Sequence, residues 1–149
     1  MRIYFPQLGN VTSGDCALVK VGDTEVLIDA GSKRDSAATL VPYIKQYCTD
    51  GILEYVIATH AHEDHIAAFV GYNGTDGIFN KFKCETIIDF PRANSSSGIY
   101  RDYKTWRDKE VKAGAVHYTA LDCWNNANGA SRSYTLGDGV TMHILDQKY

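Results

Sequence analysis

The segment that most constrains this chain is Thr59-His60-Ala61-His62-Glu63-Asp64-His65, which follows directly on the apolar run Tyr55-Val56-Ile57-Ala58. A short, wholly apolar run of this kind reads as a strand buried on both faces. The fold must therefore hold a central strand that empties into a loop carrying three histidines and an aspartate. The whole sequence has only five histidines. Imidazole and carboxylate are the donors preferred by zinc and similar divalent cations. A polar loop with chance histidines is the alternative. His60 and His62 are two apart, so in an extended segment they point the same way and reach one cation. Asp64 and His65 follow where the chain turns into a helix and are aimed differently. That arrangement suits a second cation about 3.5–4 Å from the first, the spacing of two-metal hydrolytic sites. Glu63, between the ligands, is expected to face solvent, and Thr59 to support the loop through a hydrogen bond to backbone.

Around this centre the pattern alternates strands and helices. Arg2 to Phe5 reads as a short strand. Ala17 to Val21 and Thr24 to Asp29 read as a hairpin closed by Gly22-Asp23. Ser36 is a candidate N-cap for a helix carrying Leu40, Val41, Ile44 and Tyr47 at helical spacing, with Pro42 near its start. Gly71 to Gly77 reads as loop, and Ile78 to Phe82 as a short helix. Thr86 to Asp89 is a further buried strand, followed by a polar loop from Pro91 to Gly98. Ile99 to Ala113 is a helix with Tyr103, Trp106 and Val111 as its inward residues. Val116 to Tyr118 is a strand, Trp124 to Ser131 a loop, and Ser133 to Leu145 a second hairpin turned by Gly137-Asp138-Gly139. This order predicts an α/β (α+β) fold, a mixed sheet with flanking helices.

Composition removes several classes. At 149 residues and 44% hydrophobic content, one globular domain spanning 1–149 is the expectation. The net charge of −3 and the absence of a basic run give no broad nucleic-acid footprint, though a local groove stays open. No apolar stretch is long enough to span a bilayer. Met1 to Pro6 lacks the apolar region of a secretory signal. These observations leave the compartment unassigned. Cys16, Cys48, Cys84 and Cys123 are widely spaced with no C-x-x-C pair, so buried reduced thiols are expected rather than a disulfide framework.

The Thr-His-x-His-x-Asp-His run after a short apolar strand resembles the metallo-β-lactamase superfamily. Gly14-Asp15-Cys16-Ala17-Leu18-Val19, Val26-Leu27-Ile28-Asp29-Ala30-Gly31 and Leu136-Gly137-Asp138-Gly139-Val140 resemble the start of its DNA-uptake competence (ComEC-type) branch. The resemblance implies the N-terminal portion of an αββα sandwich. It implies that His60 and His62 bind one metal, and Asp64 and His65 a second, with Asp64 at the catalytic centre. Asp29 matches a family aspartate that steadies the ligand loop; a strand-end turn residue is the equal alternative. Asp15 matches one that faces the cleft; turn capping is the equal alternative. The implied cofactor is zinc, two ions in the complete domain, with manganese or iron accepted by the same donors.

The family's second half supplies a bridging aspartate and further histidines. Asp146 lacks that context, and His117 and His143 are weak candidates for the remaining ligands. The expectation is therefore an incomplete domain. The implied activity is metal-dependent hydrolysis of an ester, a phosphodiester or other small-molecule substrate, with extended nucleic acid open. A non-catalytic metal-binding or interaction module that keeps the fold is the alternative. Half of a two-sheet sandwich exposes a face that association tends to cover, so self-association is expected. Light scattering should report a dimer or larger species; a monomer at every concentration tested contradicts the expectation.

Overall fold

A computed structural model describes residues 1–93 and 95–145. Its centre is one six-stranded sheet in the order β1-β2-β3-β4-β7-β8. The strands are β1 (Arg2–Tyr4), β2 (Ala17–Val21), β3 (Thr24–Ile28), β4 (Ile52–Ile57), β7 (Lys83–Asp89) and β8 (Val116–Thr119). The two short strands β5 (Gly71–Tyr72) and β6 (Thr75–Asp76) pair only with each other, so the expected loop from Gly71 to Gly77 is a small hairpin.

The first three strands run antiparallel, and β3, β4, β7 and β8 run parallel to their neighbours. Each parallel step moves in the same direction across the sheet. Right-handed crossovers then place every connecting helix on the same face. These helices are α1 (Ala37–Lys45), α2 (Glu63–Val70), α3 (Ile78–Lys81) and α4 (Gly98–Lys112), and they pack against one another. Their core holds Leu18, Leu27, Leu40, Ile44, Val56, Ile66, Phe69, Ile87 and Tyr103. Phe69, Phe79 and Tyr103 form an aromatic cluster at its centre, with the two phenylalanines stacked and Tyr103 edge-on to Phe69.

The opposite face of the sheet carries Val19, Val21, Val26, Ile28, Tyr55 and Ile57. Leu136, Val140 and Met142 cover it from the hairpin of β9 (Ser133–Gly137) and β10 (Val140–His143). Strand β4 is thus central and covered on both faces, as the apolar run from Tyr55 to Ala58 requires. The α/β architecture, a mixed sheet with flanking helices, is borne out. So are the opening hairpin and the four thiols, all of them buried and free.

Three expectations change. Strands β4 and β7 begin three residues earlier than the apolar runs, because ladder pairing extends back through Leu53 with Cys84 to Ile52 with Lys83. The helix α5 (Ala120–Asn125) occupies part of the presumed loop, capped by Thr119, whose Oγ1 accepts from the Asp122 N–H. Val111 is exposed, because the inward face of α4 is set by Tyr103 and Trp106. Asp146 lies outside the described residues. None of the described helices is long and apolar enough to cross a membrane.

One ion cluster ties α4 to the sheet. Asp89 at the end of β7 is buried, and its Oδ2 accepts from Arg107 at 2.9 Å and from the Tyr103 hydroxyl at 3.3 Å. Its Oδ1 lies 2.8 Å from His117 Nε2 on β8. Arg107→Ala leaves that buried carboxylate short of its cation, which costs about 3 kcal/mol. Urea unfolding should show the loss as a lower midpoint at unchanged slope.

Candidate metal centre

The ligand loop leaves the C-terminal end of β4 and enters α2. His62 has an extended backbone and stands at the N-cap, so Glu63 and Asp64 fall in the first helical turn. Acidic residues are favoured there by the helix dipole. His60 and His62 stay in the extended lead-in, with ring centroids 4.8 Å apart. His65 folds back so that its ring centroid is 3.8 Å from that of His60. Three imidazoles and a carboxylate meet here because a strand end and a helix start are separated by so few residues.

One donor atom from each of His60, His62 and Asp64 lies within 4.8 Å of the others. Burial, and then the neighbouring imidazoles of His65 and His62, push the pKa of His60 below its ordinary value. That favours the neutral ring, the form that binds a metal. His65 Nε2 is 3.7 Å from Asp64 Oδ2 and 3.6 Å from Asp15 Oδ2. Two donors on one tetrahedral zinc are about 3.4 Å apart. The spacing around His65 Nε2 is therefore close to that of donors sharing a cation, and the chemistry of the set fits a divalent metal.

Asp29 organises the rest. It sits just past β3 with φ of +56°, in the left-handed region that aspartate tolerates better than most residues. From there its buried carboxylate turns across the sheet end. Oδ1 accepts from the Thr59 N–H at 2.8 Å, and Oδ2 accepts from the Thr59 hydroxyl at 2.7 Å. Oδ2 also lies 2.8 Å from His65 Nδ1. A carboxylate partner at Nδ1 puts the proton there and leaves the Nε2 lone pair for a cation. The support of Thr59 thus comes from a side-chain carboxylate, a correction to the expected backbone partner.

The remaining expected residues fall as follows. Glu63 is exposed and pairs with Lys33 at 3.6 Å. Asp15 is largely exposed at the mouth of the centre, and its backbone N–H donates to Asp64 O at 3.1 Å. His117 is held by Asp89, and His143 is exposed with its Nδ1 2.7 Å from Ser133 Oγ. Neither belongs to the donor group of the loop among the described residues. Cys16 lies close by, but burial first, and then Asp29 and Asp15, push its thiol up to about 12. It therefore stays protonated beside the centre.

The glycines beside these acids have a steric reason. A β-carbon on Gly31 would sit 1.5 Å from the Asp64 carbonyl oxygen, and one on Gly14 would sit 2.8 Å from that oxygen. The chain after β3 and the chain before β2 both press onto the backbone that carries the ligands. Ala30 N–H donates to His65 O, and Ala68 N–H to Ala30 O, each at 2.8 Å. The bare backbones of Gly14 and Gly31 permit this close approach, a role that the resemblance segments containing them do not reveal.

Two hollows adjoin the centre. A cleft of about 750 Å³ runs from Phe5 and Leu8 past Asn10 to Asp15. A smaller hollow of about 340 Å³ lies beside Glu63 and is lined by Lys33, Arg34, Tyr72 and Ile99.

Comparison with known proteins agrees with this layout over part of the chain. Residues 9–72 match the sequence profile of the metallo-beta-lactamase superfamily. That span contains the β2–β3 hairpin, Asp29 and the whole ligand loop. The mixed sheet with its flanking helices is consistent with the sandwich of that superfamily. No curated protein matches the chain.

Gly31→Ala should force the Asp64 backbone to move. The expected cost is about 3 kcal/mol or more, with weaker metal binding. Gly98→Ala is the control, since its added carbon meets nothing nearer than 3.7 Å and it lies in a helix. Denaturant unfolding and metal titration of both variants check the contrast.

Proposed function

We propose that this chain carries the metal-binding part of a metal-dependent hydrolase domain acting on an ester, with phosphodiesters favoured. The observation that carries the reading is the gathering of His60, His62 and Asp64 donors within 4.8 Å at the C-terminal end of the parallel strands. Open α/β sheets place their ligand sites at that end. A bound divalent cation there supplies Lewis-acid polarisation and lowers the pKa of a coordinated water.

The residues divide the work. His60 and His62 hold one cation, and Asp64 and His65 a second. Asp64 is assigned to the catalytic centre because its carboxylate is near both sets. Asp29 fixes the His65 ring and its tautomer. Asp15 faces the cleft in which a substrate would lie. In the smaller hollow Lys33 and Arg34 are balanced by Glu63 and Asp102, so the preference for a phosphodiester rests on the family resemblance rather than on the charge of that hollow. Two imidazoles and a carboxylate favour zinc, and the same donors accept manganese or iron. The competence-type assignment rests on the resemblance of the Gly14 to Val19, Val26 to Gly31 and Leu136 to Val140 segments.

A second reading is a metal-binding module without turnover. It is favoured by the absence of His117 and His143 from the donor group among the described residues. In that reading, as in an incomplete domain, catalysis needs ligands beyond those gathered here.

Metal analysis combined with a generic phosphodiester assay separates the readings. Zinc with turnover supports the hydrolase, and zinc without turnover the second reading. No metal after loading contradicts both. His62→Ala and Asp64→Ala should each lower metal affinity by at least about tenfold and remove any activity in parallel. Parental metal occupancy in both variants shows the ligand assignment to be wrong.

A further inference from the structure

We propose that Glu25, Cys48 and Asp50 form a separate structural site for a zinc-class divalent cation, at the end of the sheet opposite the histidine loop. Glu25 lies at the start of β3, and Cys48 and Asp50 lie on the connection from α1 to β4. The histidine loop leaves β4 at its other end. One donor atom from each of Glu25, Cys48 and Asp50 lies within 4.8 Å of the others.

A second observation points to a ligand. Glu25 is 1% exposed, and its Oε2 is the one buried side-chain polar atom without a hydrogen-bond partner among the described residues. Leaving such an atom unsatisfied costs about 1–3 kcal/mol, and more when the group is charged. The Lys20 ammonium bonds the other oxygen, Oε1, across the β2–β3 pair. It therefore leaves Oε2 free for a different partner.

The surrounding charges favour a cation. Glu54 Oε2 accepts from the Glu25 backbone N–H at 2.7 Å, which brings a third carboxylate to the site. Glu54 and Asp50 thus both neighbour Glu25, whose ion-pair partner is Lys20. Cys48 is also buried, and its thiol donates to Ile52 O at 2.9 Å. Asp50 Oδ1 accepts from the Ile52 N–H at 3.0 Å. The loop therefore already holds its two donors beside Glu25. Donors on a shared zinc stand about 3.4–3.7 Å apart, so the set must contract by about 1 Å. Cys48 Sγ and Asp50 Oδ1 are already 3.9 Å apart, and Asp50 is exposed, so the contraction falls mainly on the approach of this pair to Glu25.

A thiolate among carboxylates selects zinc, cadmium or cobalt over magnesium and calcium. Burial, then Glu25 and Asp50, push the Cys48 thiol up to about 12, so the unloaded site holds a protonated sulfur. Cation binding forms the sulfur–metal bond and releases that proton to solvent. Affinity should therefore rise with pH. A bound ion would clip the α1–β4 connection to β3.

The test is cobalt(II) titration of the chelator-stripped full chain, read by the near-ultraviolet sulfur-to-cobalt charge-transfer band and by metal count. The histidine loop contains no cysteine, so the band is independent of the proposed hydrolytic centre. Cys16→Ser controls for the thiol nearest that loop. The parent, Cys16→Ser and the His60→Ala/His62→Ala double variant should all show the band. Cys48→Ser should lose it together with about one equivalent of cobalt. Asp50→Asn should weaken the cobalt affinity at this site by at least about tenfold. An identical band in Cys48→Ser, or no band in the parent at any cobalt concentration, overturns the proposal. If Cys48→Ser does not fold, parental cobalt affinity in Asp50→Asn overturns it.

Discussion

The carboxylate of Asp29 is the interaction on which the ligand loop depends. It is 3% exposed, and a buried carboxylate is tolerated only when its oxygens are well bonded. Its bonds reach both ends of the loop, Thr59 at the exit from β4 and His65 in the first turn of α2. The group that needs satisfying and the loop that needs holding thus meet one another's requirement. Charge-assisted bonds of this kind are worth about 1.5–3 kcal/mol each. The parallel pairing of β3 with β4 makes the meeting possible. Asp29 N–H donates to Ile57 O, which sets the strand end level with the start of the loop.

Layering does the rest. Because β3, β4, β7 and β8 succeed one another in a single direction, all crossover helices share a face and every parallel strand ends at the same edge. That edge collects Asp29, the histidine loop and Asp89 within one rim of the sheet. The opposite edge collects the starts of β3 and β4, where Glu25 is buried beside Cys48. The two ends therefore differ in chemistry: imidazole and carboxylate at one, thiol and carboxylate at the other.

Much of this was legible in consecutive residues. The apolar Tyr55 to Ala58 run announced a central strand, and the donor spacing from His60 to His65 announced a candidate metal centre. Gly22-Asp23 marked the first hairpin because two-residue turns have few alternatives. Helix α5 was hidden by the Asn, Gly and Ala content around Trp124, although Thr119 and Asp122 had the spacing of a capping box. Val111 was read as inward from its period in α4. In the fold Tyr103 sets the inward face, through the aromatic cluster and Asp89. The tethering of His117 to Asp89 joins residues 28 apart. No local pattern encodes such a contact.

By itself, the sequence determined the donor types, their spacing and the alternation of strands with helices. These follow from side-chain chemistry and short-range periodicity, which are complete within a few neighbouring residues. Only the tertiary structure decided which acids serve the loop. Asp15 and Asp29 reach His65 across separations of 50 and 36 residues, through strand register and the bare backbones of Gly14 and Gly31. It alone separated His117 and His143 from the loop, and it alone showed Glu25 with an unpartnered oxygen. The physical reason is common to all three. A buried polar group finds its partner by the packing of whole elements, and that packing is settled only when every layer of the fold is in place.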